Sequence, residues 1–313
     1  MGKLKYYIES FRLRTLPLSM SGIMAGSFLA YGSDRFRGGV FALAMLTTVF
    51  LQILSNVSNE YGDAQHGTDN AGRVGPIRSI QSGVLTANDV KRMIFLFVLL
   101  SAISGSLLVG TSFGTLFCAE GLTMLALGAL AIVAAIKYTV GKSNYGYKGG
   151  GDVAVFVFFG WVSTVGACYL NTHTIEPAIF LPASGIGLLS VGVLNVNNLR
   201  DRLNDKECGK NTVVVKIGEK GAKIYHFGLI TGAWLCLIVF TAWHADCLWN
   251  WAYLLMLPLF AMHLLAVFRF SGHQLDAQLR NLSIMTLLLS MLFGISQMKL
   301  IIFILCLLLL RIG

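Results

Sequence analysis

Nine apolar runs, separated by polar gaps, set the period of this 313-residue chain. A helix needs about 20 apolar residues to cross the hydrocarbon core of a bilayer. The runs fall near residues 15–32, 40–61, 92–111, 116–138, 152–170, 178–199, 223–243, 249–269 and 281–298. They predict an all-α fold: a polytopic membrane helical bundle of about nine transmembrane helices, with residues 1–313 forming one membrane-embedded domain. The tail from Lys299 to Leu310 is too short to span alone. It either extends the ninth helix or lies at the interface.

Composition sharpens this picture. Apolar residues make up 55% of the chain and charged residues 12%, and the mean hydropathy is +0.70. A water-soluble protein carries about twice that share of charge, and a disordered one far less apolar side chain. The net charge of +9, from 24 Lys+Arg against 15 Asp+Glu, therefore orients the chain in a membrane rather than binding nucleic acid. With the N-terminus in the cytoplasm, the cytoplasmic gaps receive twenty Lys and Arg, while the opposite face gets Arg35, Arg37 and Arg311, with Lys299 in the tail. That asymmetry is the positive-inside pattern, and nine spans then place the C-terminus outside. The six cysteines show no CxxC spacing, which argues against a disulfide framework or a zinc site. No cleavable signal peptide stands out.

The gaps at 62–91, 139–151 and 200–222 are long and rich in Gly, Asp, Asn, Lys and Arg, whereas the opposite loops are short. Long structured loops carry function, so the chemistry is expected at the cytoplasmic face. Two acidic segments look like copies of one another. The second run ends in Asn56-Val57-Ser58-Asn59-Glu60-Tyr61-Gly62-Asp63, and the sixth in Asn195-Val196-Asn197-Asn198-Leu199-Arg200-Asp201 followed by Asp205. Aligning Asn59 with Asn197 sets Asp63 opposite Asp201. The i, i+4 spacing puts each pair on one helix face. Asn56, Asn59 or Glu60, and Asp63 form one polar stripe; Asn197 or Asn198, Asp201 and Asp205 form the other. Ionisable residues in a transmembrane segment face a bundle interior or a water-filled cavity. Two carboxylate clusters on one cavity make a hard-oxygen site suited to Mg²⁺. Arg73, Arg78, Lys142 and Lys210 lie nearby in sequence and suit a polyphosphate. Lys91, Arg92, Lys216, Lys220 and Lys223 read as topogenic charges.

These residues resemble the UbiA superfamily of intramembrane prenyltransferases. Asp201-Arg202-Leu203-Asn204-Asp205 matches its D-x-x-x-D motif. Its N-D-x-x-D-x-x-x-D motif is matched with departures: Glu60 replaces the usual Asp, and the last acid arrives two residues late as Asp69. That shifted form is similar to the branch that prenylates 1,4-dihydroxy-2-naphthoate in menaquinone synthesis. So are Arg12-Leu13-Arg14-Thr15-Leu16-Pro17, Gly67-Thr68-Asp69 through Gly75-Pro76-Ile77-Arg78, Tyr138-Thr139 through Gly151-Asp152 with Phe158-Phe159-Gly160, and Asn197-Asn198 through Gly209-Lys210-Asn211-Thr212. The similarity covers roughly residues 10–298.

The resemblance implies an integral enzyme of the bacterial plasma membrane whose partners are a polyprenyl diphosphate, 1,4-dihydroxy-2-naphthoate and the lipid bilayer. It gives no sign of an obligate protein partner. Mg²⁺ would be held by Asp63, Asp201, Glu60, Asp69 and Asp205. Asp63, Asp201, Lys142, Tyr138 and Arg78 would be catalytic, and Asn59, Asn198, Arg14, Arg73 and Lys210 would bind substrate. Ring attack on the allylic carbocation and loss of CO₂ would give demethylmenaquinone. Another aromatic acceptor, such as 4-hydroxybenzoate, stays open. A secondary transporter is the alternative of a different class, but it would place polar groups at mid-membrane. The span interiors offer few beyond Glu120 and His263.

Overall fold

A computed structural model describes residues 3–32, 35–70 and 72–298 of the chain. The tail beyond Met298, with Lys299, Cys306 and Arg311, lies outside the described residues. A short helix α1 (Leu4–Ser10) leads into α2 (Leu16–Gly32) through Arg12, whose φ of 51° is left-handed. Then come α3 (Gly38–Gln65), α4 (Ala87–Phe113) and α5 (Ala119–Lys137). A rod follows, built from α6 (Gly151–Val155), a π-helical stretch (Phe156–Val162) and α7 (Ser163–Thr172). The second half holds α8 (Phe180–Glu207), α9 (Val213–His244), α10 (Leu257–Arg269) and α11 (Leu275–Ser296). Among the described residues, eight helical rods are long and apolar enough to cross a membrane. The 17 residues of α2, about 25 Å at 1.5 Å per residue, make a ninth.

Local signals explain the helix ends. Thr86 and Asp89 form a reciprocal capping box at the start of α4, and the left-handed Gly114 ends it. The second half is knitted tightly. Trp234 stacks on Tyr253 and meets Phe260 edge-on, with centroids 5.9 and 5.3 Å apart, and Phe293 packs on Tyr253 from α11. His263 is a satisfied core residue here, bonded to His226 at 3.0 Å and to Gln278 at 3.1 Å. The π-helical stretch lies flush against α8: a Cβ on Gly160 would sit 2.6 Å from the Ala183 carbonyl oxygen. Small residues of this kind let membrane helices approach backbone to backbone.

The first half is looser. Ile53, Leu54 and Val57 on α3 pack with Leu85, Val90, Met93 and Phe97. The helix α5 rests on α3 and α4, and only 6% of its apolar stretch is buried within the protein.

The helices run further than the apolar runs do. Instead of stopping near residues 61 and 199, α3 continues to Gln65 and α8 to Glu207. The acidic residues Asp63, Asp201 and Asp205 therefore sit inside helices, as their i, i+4 spacing expects. The long gap at 200–222 shrinks to a short turn, because α9 already begins at Val213 and bends at Gly218, where φ is 72°. Polar side chains facing an internal cavity do not have to end a membrane helix, so hydropathy alone sets the boundaries too early.

Candidate active site

The extended ends of α3 and α8 place their polar faces on one cavity of about 760 Å³. Asn56, Asn59 and Asp63 line it from α3; Asn197, Asn198, Asp201, Asn204 and Asp205 line it from α8. Both polar stripes thus face the same space, and Asn197 and Asn198 both take part. Thr68, Arg73 and Arg78 come from the α3–α4 loop, Arg12 from the turn before α2, Tyr138 from the end of α5 and Lys210 from the turn before α9. Away from this polar end the walls are apolar, built from α4, α5, the π-helical stretch and α7.

The carboxylates are held by different partners. The Tyr147 hydroxyl donates to Asp63 Oδ1 at 2.8 Å and so accepts from the Thr68 hydroxyl at 2.6 Å. Lys210 Nζ lies between two acids, 3.9 Å from Asp63 Oδ1 and 3.7 Å from Asp205 Oδ1. Burial alone would lower the pKa of this ammonium, but Asp63 and Asp205 outweigh it and hold the value above that of an ordinary lysine. Asp205 Oδ2 is buried and has no hydrogen-bond partner. On Asp201, Arg200 Nε and Nη2 form a fork at 3.1 and 2.5 Å.

Four cations ring the same end. Arg12 is half-buried, its Nε is enclosed without a partner, and burial followed by the charges of Arg78, Arg14 and Arg73 pulls its pKa down. Arg73 is lowered by burial and by Arg78. Clustered cations that repel one another mark a place that favours an anion. Tyr138 is half-buried, and desolvation raises its phenol pKa, keeping it neutral. Its slot is cut by glycines: a Cβ on Gly151 would lie 2.9 Å from the Tyr138 oxygen, and one on Gly146 would lie 3.0 Å from Cε1.

Four residues expected at the site are placed elsewhere. Lys142 is exposed and does not line the cavity; its turn points into solvent, and Lys210 occupies the buried cation position. Glu60 is fully buried behind α3, where Oε1 accepts from the Ile80 backbone N–H at 3.0 Å. It anchors the α3–α4 loop rather than facing the cavity. Asp69 also lies off the cavity wall, paired with Arg73 at 3.2 Å and Arg78 at 3.8 Å. Burial raises its pKa despite those two arginines. Arg14 turns away towards Asp276, 3.8 Å distant, and Arg12 takes the cavity position. The motifs do not single out Arg12, Tyr147 or Arg200: all three fall inside matched segments, but nothing local distinguishes Arg12 from Arg14.

A match to the UbiA prenyltransferase family model extends over residues 19–288. The chain belongs to the UbiA prenyltransferase family. Among the relatives of this UbiA protein, a 1,4-dihydroxy-2-naphthoate octaprenyltransferase of Escherichia coli (strain K12) is 46% identical over 83% of each chain. One from Haemophilus influenzae is 43% identical over 94% of this chain and 96% of its own. Two solved UbiA homologues share the fold at low identity. The Aeropyrum pernix apo structure has a TM-score of 0.63 at 14% identity, covering 90% of this chain and 96% of that one. The Archaeoglobus fulgidus homologue bound to DMAPP and Mg²⁺ has a TM-score of 0.61 at 16% identity, covering 94% and 99%.

Proposed function

We propose that this chain transfers a long prenyl group from an allylic polyprenyl diphosphate to 1,4-dihydroxy-2-naphthoate. The reaction releases diphosphate and CO₂ and gives demethylmenaquinone in its reduced form. The observation that carries the reading is identity of 46% and 43% over most of the chain to octaprenyltransferases of that acceptor. The cavity agrees with it: an ionic end suits a diphosphate, and an apolar body suits a polyprenyl tail.

The donor set fits Mg²⁺. Asp63, Asp201 and Asp205 supply hard oxygen atoms to one cavity, and Asp205 Oδ2 is buried without a partner. Among the described residues no three acidic, His or Cys side chains already converge on a single point. Mg²⁺ held by few carboxylates keeps water and substrate oxygens in its shell. Mg²⁺, when bound, neutralises the diphosphate and makes it a better leaving group. Arg73, Arg78 and Lys210 add fixed positive charge where the departing oxygen gains negative charge, and Arg12 adds a fourth cation at the same end. The C–O bond breaks with its electron pair going to the diphosphate. The naphthoate ring then attacks the allylic carbon, and loss of the carboxylate as CO₂ restores the aromatic ring. Tyr138, held neutral, and the apolar walls keep water from the carbocation.

The test incubates purified protein with octaprenyl diphosphate and either 1,4-dihydroxy-2-naphthoate or 4-hydroxybenzoate, and identifies products by mass. Product from the naphthoate alone is expected, lost on chelation and restored by Mg²⁺. Product from the benzoate alone would overturn the acceptor, and full turnover under exhaustive chelation would overturn the cation.

A further inference from the structure

The helix α11 reaches the site through a charged chain behind the cavity wall. Arg200 is completely enclosed, with a side-chain exposure of 0%, and it does not line the cavity. One edge of its guanidinium bonds both oxygens of Asp201. From the other side Nη1 reaches Asp276 Oδ1 at 2.6 Å, and Nη2 also donates to Asn197 Oδ1 at 3.1 Å. Asp276 opens α11 and keeps a side-chain exposure of 30%. It is also the acid that Arg14 approaches, at 3.8 Å.

A guanidinium forked onto both oxygens of Asp201 draws on the charge that carboxylate can offer a divalent cation. A second carboxylate on the same guanidinium divides that pull and fixes its plane. Charge-assisted bonds of this kind are strong and directional, and groups behind a metal ligand tune its affinity. We propose that Asp276 is a positioning residue which, through Arg200, sets the divalent-cation affinity of Asp201. The proposal rests on the reading of Asp201 as a metal ligand. Arg14 competes for Asp276 and so opposes it.

The signs follow from the geometry. Asp276→Asn leaves Asp201 as the only full counter-charge of Arg200, which tightens on Asp201 and weakens cation binding. Asp276→Glu keeps the charge and restores binding. Arg14→Gln gives Asp276 wholly to Arg200 and strengthens binding.

The readout is Mn²⁺ binding by electron paramagnetic resonance, on the full chain in detergent with inorganic diphosphate present. Alongside it run the Mg²⁺ half-saturation and kcat of the prenyl transfer. Asp276→Asn should weaken Mn²⁺ binding and raise the Mg²⁺ half-saturation by about 10- to 100-fold, while kcat at saturating Mg²⁺ stays near that of the parent. Loss of kcat with unchanged Mn²⁺ affinity marks a merely structural residue and overturns the proposal. If Asp276→Asn does not fold, Arg14→Gln decides the matter: weaker Mn²⁺ binding or no change overturns the proposal. Asp201→Asn separates the two levels. If it weakens Mn²⁺ binding while the Asp276 and Arg14 variants change nothing, only the coupling through Arg200 falls. If it leaves Mn²⁺ binding intact, the metal reading falls and this proposal with it.

Discussion

The acidic ends of α3 and α8 match in sequence yet hold their carboxylates in opposite ways. Asp63 is steadied by a neutral phenol, Tyr147, and shares its cation Lys210 with Asp205. Asp201 is gripped by its own neighbour Arg200, whose other edge is tied to α11. The packing differs in the same sense. One third of the apolar stretch of α3 is buried within the protein, against 72% for the rod containing α8. The closely packed half provides a fixed carboxylate anchored from behind, and the open half provides the space. Matched motifs thus do not imply matched energetics: Asp63 stands 3.9 Å from its cation, whereas Asp201 is forked by a fully enclosed guanidinium, so its loss breaks the tighter pair.

The largest expected effect separates these two acids. Asp63→Asn and Asp201→Asn should each remove a leaving-group interaction worth several kcal/mol, more than about a hundredfold in rate. Their stabilities should diverge. Asp63→Asn leaves Lys210 paired with Asp205 and should melt near the parent. Asp201→Asn removes one of two acids from the enclosed Arg200, and breaking such a buried pair costs up to about 3–5 kcal/mol. Rates in liposomes and thermal unfolding in detergent check both halves, and equal melting temperatures would erase the contrast.

A smaller effect tests the phenol. Tyr147→Phe removes a hydrogen bond to a charged group, worth about 1.5–3 kcal/mol. Activity should fall by about tenfold or somewhat more, and a rate equal to the parent would show that Asp63 needs no such support. The smallest effects are expected at Lys142→Ala and Asp246→Asn, both exposed, whose rates should match the parent. A large loss at Lys142 would return that residue to the site. The contrast also has an orientation. Reporter fusions at Gly146 and His173 should read cytoplasm and exterior, and the reverse readings would overturn the expected topology.

Much of this was legible in the chain itself. The apolar runs located every rod, and the i, i+4 acids located the cavity's polar end, because both patterns are local. The failures came where local pattern is silent. Arg12 and Arg14 differ only in a left-handed turn at Arg12 that sends the first inward. Lys142 and Lys210 both follow a glycine, and only the fold buries one of them. The bond from Arg200 to Asp276 joins residues 76 positions apart. Glu60 and Asp69 fit an acidic motif, but the α3–α4 loop uses them to fasten itself. The π-helical stretch leaves no mark in hydropathy.

The helix α5 lines the cavity and exposes about half of its residues to the surroundings, so with a lipid-dissolved donor this enzyme works as a two-phase reactor. A polyprenyl tail partitions into a two-dimensional solution, the lipid leaflet, whereas a naphthoate carboxylate partitions into bulk water. The encounter rate for the donor is then governed by its mole fraction among lipids, not by its amount per litre. Adding inert lipid at constant total donor slows such an enzyme by surface dilution, while adding buffer leaves that step unchanged. A KM for the donor has meaning here only when written per lipid molecule.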